Sequence, residues 1–441
     1  MNKLTTCFLI GLSTLASLAH AEARFSPHNL FIKMKPGQAL ADSTYIQSSK
    51  KIIGDIYLVK TANLNALSAE MSALSSVEYV EKDHYVTKKN SSKHETLQPD
   101  NYVNLKSSLV APDFFNFNDP LTKRLWAFNS KAGMKVSSAY DILPLRVPQE
   151  IIVAVVDTGV DHKHEDLKDI MWRNEKEIPG NGIDDDNNGY IDDIHGINTL
   201  VRDSKGRATM NTMASHWHGT HVAGTIAATQ NNGLGIAGVA NNVKIMAIRT
   251  VPDDADELDS DIVEAFVYAQ KNGAKIINCS FGKQVNEGGM IVRDTIDAIG
   301  KKGVLVVAAA GNDESNNDIS PKYPAAFDSK TMMVIAATDI TGAISDFSNF
   351  GYKTVDVAAP GSDIYSTINN NKYEMASGTS MATPNAVGVA AMVLGYFPKL
   401  KPLELKNLLM NTADKIPAYK GKVLSGGRIN MKKALEKAQK L

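Results

Sequence analysis

Residues 378–384, with the sequence GTSMATP, contain a serine in a setting that could make it a nucleophile. The apolar residues at 386–394 predict a helix, so Ser380 would lie at its N-terminus, and Pro384 is compatible with its first turn. A helix N-terminus stabilises negative charge, as an acyl-transfer intermediate requires. The serine hydroxyl also needs a base and a group that orients the base. By itself, this segment is more typical of a serine that only caps a helix.

Three other segments supply groups of the required types. Residues 151–156 predict a buried parallel strand that ends at Asp157. His218 lies at the start of a small-residue helix, and the apolar run 304–310 leads into Asn312, whose amide could donate to an oxyanion. Alone, Asp157 could be a turn or cap residue, Asn312 a turn residue and His218 a solvated histidine. Because ligands of parallel sheets bind beyond the carboxyl ends of the strands, we expect these side chains to meet there.

Strands alternate with helices over most of the chain. This pattern predicts an α/β domain with a mostly parallel central sheet and helices on both faces. Further strands are predicted at 243–248, 275–278, 304–308 and 333–336, and helices at 221–228, 260–272 and 291–302.

The composition fits a soluble globular protein with one large and one smaller unit. The chain has 441 residues, of which 43% are hydrophobic and 22% charged, and its net charge is −1. Without a basic excess, no nucleic-acid partner is expected. We expect a monomer.

Residues 1–21 have the pattern of a secretory signal peptide. Lys3 precedes an apolar run at 8–19, and Ala19-His20-Ala21 resembles a cleavage site. A membrane anchor, the alternative, needs about 20 apolar residues. We therefore expect cleavage near Ala21, no stable membrane anchor, and a protein secreted to the periplasm or the medium.

The chain has two cysteines. Cys7 would be lost with the signal peptide, leaving Cys279 without a disulfide partner. Because Cys279 ends an apolar strand, a buried structural thiol is favoured over a nucleophile.

Residues 22–87 predict a small α+β unit. Strands are expected at 30–32 and 52–59, a helix is expected over 64–74, and residues 77–86 are extended. Residues 88–118, rich in Lys, Ser, Asn, Pro and Asp, predict a linker.

The segments VAVVDTGVD, HGTHVAGTIAA, VVAAAGN and GTSMATP, in this order, resemble the signature blocks of subtilisin-like serine proteases. The resemblance covers residues 119–441 and implies a secreted endopeptidase that cleaves proteins or peptides through an acyl-enzyme. It implies that Ser380 is the nucleophile, His218 the general base and acid, Asp157 the group that orients His218, and Asn312 an oxyanion donor. By the same resemblance, His221 is structural.

The resemblance also implies a substrate-binding edge. Ser280, Phe281 and Gly282 are similar to the family segment that pairs with an extended peptide, and Ala310 and Gly311 are assigned to substrate binding with them. The chain departs from the family at Asn385, where histidine is usual, and this change could alter the packing behind the nucleophile.

The unit at 22–87 resembles the inhibitory propeptide of these proteases, notably in VEYVE at 77–81. It would assist folding, occupy the cleft as an intramolecular inhibitor, and be removed by self-cleavage within 88–118. An unrelated accessory domain is the alternative.

Residues 184–193, DDDNNGYIDD, predict a Ca²⁺ loop, with oxygen ligands at alternating positions and glycine at the sixth. A regular EF-hand is excluded because the twelfth position is His195. The candidate ligands are Asp184, Asp186, Asn188 and Tyr190, with Asp192 or Asp193 completing the shell. A solvated acidic turn is the alternative.

A second Ca²⁺ site is implied by resemblance alone. Residues 231–236 are similar to the calcium loop of the family, with Asp166 as partner carboxylate and Asn232 as a further ligand.

Two other functions are compatible with parts of the sequence. His216, His218 and His221 have spacings seen in zinc hydrolases, although this reading leaves Asp157 and Ser380 without a role. The second alternative is a secreted binding module with an inactive site, which is disfavoured because all four catalytic positions carry functional residue types.

Overall fold

The computed structural model describes residues 23–86, 97–98, 117–253, 257–283 and 289–441. The predicted signal peptide at 1–21 lies outside the described residues, as does most of the predicted linker at 88–118. Within the described ranges, none of the helices combines the length and the apolar character needed to cross a membrane.

The N-terminal unit is a four-stranded antiparallel sheet covered by one helix, with strand order β2-β3-β1-β4. Leu67 and Met71 of the helix pack against Leu30 and Ile32 of the sheet. The elements are β1 Ala23–Met34, β2 Ile46–Ile53, β3 Ile56–Thr61, α1 Leu64–Ser72 and β4 Val77–Val86.

The prediction of one strand over 52–59 is wrong. The chain reverses there, so that β2 pairs antiparallel with β3, and Ile53 lies opposite Ile56. Gly54 adopts a φ of +53°, which the tight turn between these strands requires and which glycine tolerates without steric cost.

The remaining described elements follow in chain order. The helices are α2 Trp126–Asn129, α3 Val136–Tyr140, α4 His218–Ala227, α5 Asp259–Lys271, α6 Ile291–Lys301, α7 Thr379–Tyr396, α8 Pro402–Asn411 and α9 Met431–Ala438. The strands are β5 Leu97–Gln98, β6 Ile151–Asp157, β7 Gly196–Arg202, β8 Ala208–Thr209, β9 Val243–Arg249, β10 Ile276–Cys279, β11 Leu305–Ala309, β12 Met332–Thr338, β13 Val357–Pro360, β14 Ile364–Ile368, β15 Lys372–Ala376, β16 Asp414–Lys415 and β17 Gly427–Arg428.

A mostly parallel sheet forms the centre of the large unit, which confirms the predicted fold class. Among the described residues it has ten strands, in the order β16-β17-β13-β12-β11-β10-β6-β9-β7-β8. The pairs from β17 to β7 are parallel, and the outermost strands β16 and β8 are antiparallel to their neighbours.

Helices bury both faces of this sheet. Val153 and Val155 of β6 belong to the same apolar cluster as the buried residues of α4 and α7. Ala154 and Val156, which point to the opposite face, cluster with α5 and α6. A sheet buried on both faces has continuous apolar strands, which is why β6, β10 and β11 were recognisable in the sequence.

The N-terminal unit packs against the N-terminal ends of α5 and α6. Asp83 accepts a hydrogen bond from the backbone N–H of Ser260 at 2.9 Å, and Glu81 accepts one from Met290 at 2.7 Å. Lys33 forms an ion pair with Asp294 at 2.7 Å. Carboxylates at helix N-termini interact favourably with the helix dipole, so this face of the large unit is suited to an acidic strand such as β4.

Candidate active site

Asp157 and His218 are held together by the end of β6 and the start of α4. The Nδ1–H of His218 donates to Oδ1 of Asp157 at 2.7 Å, and the two residues are 6% and 1% exposed. Gly219 allows this approach, because a Cβ there would lie 2.1 Å from the Gly159 carbonyl oxygen. The carboxylate therefore fixes the orientation of the imidazole, as general-base catalysis requires.

Ser380 is the second residue of α7 and is buried. Its hydroxyl donates to the Ser280 carbonyl at 3.1 Å, while the Ser280 hydroxyl donates to the Ser380 carbonyl at 2.9 Å. Asn278, in β10, donates to Oγ of Ser280 at 2.9 Å. This reciprocal pair attaches the start of α7 to the end of β10.

The prediction that Pro384 lies in the first helical turn is wrong, because α7 begins at Thr379 and Pro384 is therefore its sixth residue. Proline has no N–H to donate to the carbonyl four residues earlier, which belongs to Ser380. That carbonyl instead accepts the Ser280 hydroxyl. The missing helical hydrogen bond is thus replaced by a bond that positions the nucleophile segment.

Asn312 follows β11 and is oriented by Thr379. Its Oδ1 accepts from the backbone N–H of Thr379 at 2.8 Å and from Oγ1 of Thr379 at 2.9 Å. The same hydroxyl accepts from the Gly311 N–H at 3.0 Å. With the amide oxygen held by two donors, the NH₂ end of Asn312 points away from Thr379. Sequence reasoning missed this role of Thr379.

The topology brings the four predicted catalytic residues to one edge of the sheet. Strands β6, β10 and β11 are adjacent and parallel, so their carboxyl ends, which carry Asp157, Ser280 and Asn312, lie side by side. Helix α7 packs against α4, and a Cβ on Gly388 would lie 3.3 Å from the Ile226 carbonyl. The Asp157–His218 and Ser280–Ser380 hydrogen bonds place the starts of α4 and α7 at this edge.

The three histidines of the zinc alternative have separate roles. His218 binds Asp157, whereas Nε2 of the fully buried His221 lies 3.0 Å from the Ile364 carbonyl. Burial, together with the nearby His218, lowers the pKa of His221 to about 3. In the described part of the chain, His216, His218 and His221 are not among the side-chain groups close enough to share a metal ion.

Asn385 and Cys279 are buried behind the site. The Asn385 amide donates to the Pro360 carbonyl at 3.0 Å and to the Met381 carbonyl at 3.3 Å, so it bonds only backbone groups in these contacts. Burial raises the pKa of the Cys279 thiol well above its ordinary value. Such a thiol is not a nucleophile at neutral pH.

The predicted substrate-binding residues form two segments that converge on one side chain. Ser280, Phe281 and Gly282 follow β10, and Ala310 and Gly311 follow β11. A Cβ on Gly282 would lie 3.6 Å from Cγ of Lys322, and one on Gly311 would lie 2.6 Å from Cδ of the same lysine. Sequence reasoning missed Lys322, whose Nζ forms an ion pair with Asp313 at 2.9 Å.

The acidic loop gathers only some of its predicted ligands. Asp186 and Asp193 lie with Glu177, and one carboxylate oxygen from each of the three residues lies within 4.8 Å of the other two. Burial raises the pKa of both Asp193 and Glu177. Glu177 was missed because it lies seven residues before the loop begins.

The other predicted ligands of this loop bind groups within the protein. Asp184 accepts from the backbone N–H groups of Asn188 and Gly189, at 3.0 and 2.9 Å. Asp192 accepts from those of Gly180 and Gly182, at 2.7 and 3.0 Å. The Asn188 amide donates to Asp193 at 3.0 Å, and the Tyr190 hydroxyl donates to Glu264 at 2.9 Å.

The second predicted calcium site brings Asp166 and Asn232 together. Oδ1 of Asp166 accepts from the Asn232 amide at 2.8 Å, and its Oδ2 accepts from the Ile236 N–H at 3.0 Å. Burial raises the pKa of Asp166 to about 6. Asp119, which sequence reasoning missed, accepts from the N–H groups of residues 231 and 232, at 2.8 and 3.0 Å.

A carboxylate, an imidazole and a serine at a helix N-terminus are the residue set for nucleophilic catalysis by serine. In agreement with this geometry, residues 149–433 match the model of the subtilase family, described as Peptidase_S8. The chain therefore belongs to the subtilase family, which confirms the resemblance found in its sequence.

Several curated proteins are similar to this chain. Subtilisin-like protease 1 of Plasmodium berghei is 31% identical over 353 residues, covering 76% of this chain and 57% of that protein. The thermophilic serine proteinase of Bacillus sp. strain AK1 is 36% identical over 292 residues, covering 66% of this chain and 63% of that protein. The extracellular protease of Xanthomonas campestris is 34% identical over 343 residues, covering 73% of this chain and 57% of that protein. The chain thus spans little more than half the length of these relatives.

A solved structure gives the same fold. A structure of proteases from Pseudoalteromonas arctica superposes with a TM-score of 0.61 at 26% sequence identity, covering 74% of this chain and 100% of the other. The superposition supports the parallel sheet and its surrounding helices as a shared framework.

Proposed function

We propose that this chain is a secreted serine endopeptidase that hydrolyses peptide bonds in proteins, and that it is made as a self-processed precursor. The observation that carries the proposal is the 2.7 Å hydrogen bond between Asp157 and His218 at the sheet edge where α7 presents Ser380. An imidazole held in one orientation beside a serine at a helix N-terminus is suited to acyl transfer.

The four catalytic residues have defined roles in the proposed reaction. His218 removes the proton from Oγ of Ser380 as the oxygen attacks the peptide carbonyl, and Asp157 stabilises the imidazolium that forms. The Asn312 amide and the Ser380 N–H donate to the oxyanion. His218 then protonates the leaving amine, and water hydrolyses the acyl-enzyme by the same steps in reverse order.

Substrates are proposed to bind as extended strands. Residues 280–282 continue from β10 beside Ser380, and Lys283 already forms an antiparallel bridge with Tyr323 through two hydrogen bonds of 2.8 Å. A peptide laid along residues 280–282 would gain backbone hydrogen bonds that do not depend on its sequence, which suits a protein-degrading enzyme.

Self-processing is supported by where the N-terminal segments lie. The His84 carbonyl, near the end of β4, accepts from Lys283, directly after the proposed substrate edge, at 3.3 Å. Leu97 and Gln98 pair with Ala376 and Met375, a few residues before Ser380. We propose that the maturation cut falls between these two contacts, within residues 88–96.

We propose that the N-terminal unit inhibits the enzyme until this cut is made. Its strand β4 binds the N-termini of α5 and α6 through Asp83 and Glu81, and its end lies beside Lys283. While the unit remains docked, the chain that follows β4 competes with substrates for the cleft. Separation of the two units would release the mature protease.

We also propose that Ca²⁺ stabilises the large unit. Glu177, Asp186 and Asp193 fit a hard cation, because their oxygens converge within 4.8 Å and burial raises the pKa of two of these carboxyls. The resemblance-based second site would use Asp166 with Asn232 and Asp119. Bound Ca²⁺ would offset the repulsion between carboxylates in each loop and stabilise the native state.

Secretion is proposed from the pattern of residues 1–21 and from the similarity to a relative named extracellular protease. Mass spectrometry of the N-terminus of the purified protein tests it. An N-terminus after residue 21 is expected in a precursor, and one between residues 88 and 97 is expected in the mature form. Retention of Met1 in the exported protein would contradict it.

Substitution of Ser380 by Ala tests the activity itself. We expect the purified Ser380→Ala protein to lack peptide hydrolysis and to remain uncut, while the parent matures under the same conditions. An inactive binding module would give a parent without activity. Normal maturation of purified Ser380→Ala would exclude self-cleavage by this residue.

A further inference from the structure

A second group of buried metal-ligating side chains lies where the N-terminal unit contacts α5. Glu81 and His84 belong to β4, and Asp259 is the first residue of α5. One ligand atom from each lies within 4.8 Å of the others. We propose that these three residues bind a transition-metal ion, for which Zn²⁺ is best suited, and that the ion links the two units.

Glu81 offers an oxygen that the protein does not otherwise use. The side chain is 7% exposed, and its Oε2 accepts from the backbone N–H groups of Met290 and Ile291, at 2.7 and 3.1 Å. Its Oε1 is also buried and, among the described residues, has no hydrogen-bond partner. A buried carboxylate oxygen without a donor is costly, and a cation would remove that cost.

His84 and Asp259 have a separation that suits an ion between them. Nδ1 of His84 lies 4.0 Å from Oδ2 of Asp259, which is too long for a hydrogen bond. Zinc binds nitrogen and oxygen ligands at about 2.0 to 2.2 Å, so one ion can contact both atoms. The two residues are only 8% and 3% exposed.

Several acidic side chains are buried around the group. Glu81, Asp83, Glu257 and Asp259 are buried carboxylates, whereas Lys283 is the buried ammonium that bonds to Asp259, at 2.6 Å from its Oδ1. The helix N-termini of α5 and α6 offset part of this charge. Because Lys283 binds Oδ1 of Asp259, the Oδ2 that lies nearer to His84 can accept a metal ion.

The donor set selects among metal ions. One imidazole nitrogen and two carboxylate oxygens suit zinc, whereas Ca²⁺ and Mg²⁺ prefer oxygen ligands alone. Three protein ligands leave a fourth position for water. This proposal does not rest on the proposed peptidase activity, because the ion would link the two units whatever reaction the large unit catalyses.

The test uses full-length Ser380→Ala protein, in which the two units stay on one chain. The protein is stripped with a chelator, dialysed into excess Ca²⁺ to saturate oxygen-only sites, and titrated with Zn²⁺ by calorimetry. The same titration is made after adding His84→Gln. His28→Gln, which changes an exposed histidine of the same unit, is the matched control.

The parent and His28→Gln are expected to bind Zn²⁺ alike, and Zn²⁺ should raise their unfolding temperature. Loss of a direct ligand should cost more than the roughly 10- to 100-fold that outer-shell changes cost, so His84→Gln should lose at least about 100-fold in affinity for one equivalent. Equal stoichiometry, affinity and thermal shift in folded His84→Gln would overturn the proposal.

X-ray absorption keeps the proposal testable if His84→Gln does not fold. The parent loaded with one equivalent of Zn²⁺ should show the multiple scattering of a single imidazole with oxygen neighbours, and Glu81→Gln should bind Zn²⁺ more weakly. A spectrum without imidazole scattering, or with two or more imidazoles, would place the ion elsewhere and overturn the proposal.

Discussion

Replacing Thr379 with Val should slow catalysis without removing any group that reacts. The Thr379 hydroxyl donates to Oδ1 of Asn312 at 2.9 Å and accepts from the Gly311 N–H at 3.0 Å. Valine has nearly the same shape but makes neither bond. The Thr379 backbone N–H still donates to Oδ1 of Asn312 at 2.8 Å, so the Asn312 amide loses one of its two hydrogen bonds from Thr379 and keeps the other.

The expected magnitude follows from these two bonds. One hydrogen bond contributes about 0.5 to 1.5 kcal/mol net, which corresponds to a decrease in kcat of roughly 2- to 10-fold if the loss falls on the oxyanion contact. The buried Gly311 N–H loses its hydrogen-bond acceptor in the ground state and the transition state alike, so this loss does not change kcat. It lowers the free energy of unfolding by about 1 to 3 kcal/mol. Removing the oxyanion donor altogether costs about 2.7 to 4 kcal/mol, a value measured in another member of the family, so the Thr379 effect should be smaller.

The assay is steady-state hydrolysis of a fluorogenic peptide, with unfolding followed separately. Thr379→Val should lower kcat with little change in KM, and Thr379→Ser should restore it. Thr383→Val is the control, because Oγ1 of this buried residue donates to the Thr379 carbonyl at 2.8 Å, and its loss should affect stability more than kcat. An unchanged kcat in Thr379→Val, or an equal decrease in Thr383→Val, would refute the reasoning.

Three further predictions test other parts of the molecule. Asp157→Asn should lower kcat by about 10⁴-fold at neutral pH with the fold intact, because the amide favours the wrong tautomer of His218; a loss under tenfold in the same peptide assay would exclude the orienting role. Chelation of Ca²⁺ should lower the unfolding temperature of Ser380→Ala protein. Asp193→Asn should lower it without a chelator, whereas Asp328→Asn, the exposed control, should not. Equal unfolding temperatures of the two variants in calorimetry would count against the site. The pKa of His221 is about 3 in the folded protein, against 6.5 ordinarily, so below pH 6.5 the unfolded state binds the extra proton and the folding stability falls as the pH drops towards 3. In urea unfolding of Ser380→Ala protein, His221→Gln should make the stability depend less on pH over this range. The same pH dependence with and without His221→Gln would show that His221 does not contribute.

The sequence predicted the parts of the fold that are buried on both sides. Strands such as β6, before its last residue Asp157, and β11 consist of apolar residues, because each face of the central sheet is covered by helices. The glycines after α5 and α6, at 273 and 303, have positive φ, as expected for residues that follow a helix. These patterns are local, so they can be read without knowledge of the rest of the fold.

Elements whose stability depends on distant contacts were missed. Strands β14 and β15 form a hairpin with polar residues, and β5 is two residues long and is defined by its pairing with β15. The hairpin formed by β2 and β3 was read as one strand because the apolar residues Ile52 and Ile53 are separated from Ile56 by only Gly54 and Asp55. Pairing partners far along the chain decide these cases, and a local pattern does not contain them.

In the candidate site, too, some residues were predictable from local sequence and others depend on distant contacts. The residues at 157, 218, 312 and 380 were apparent because their four segments occur together and resemble the signature blocks of one family, although each residue alone is ordinary at its position. The supporting residues Thr379, Glu177 and Lys322 were not, because threonine, glutamate and lysine are common everywhere and only their three-dimensional neighbours give them a role. The role of Pro384 is likewise evident only in three dimensions, because the Ser380 carbonyl that it leaves without a helical donor accepts the Ser280 hydroxyl.

The most direct test of the account is to label the nucleophile. The mature protein is treated with a fluorophosphonate, digested and sequenced by tandem mass spectrometry, with Asp157→Asn and Ser380→Ala treated in parallel. We predict one stoichiometric adduct on Ser380, much slower labelling in Asp157→Asn, and none in Ser380→Ala. A protein that hydrolyses peptides while Ser380 stays unlabelled, or that is labelled equally fast without Asp157, would contradict the central claim.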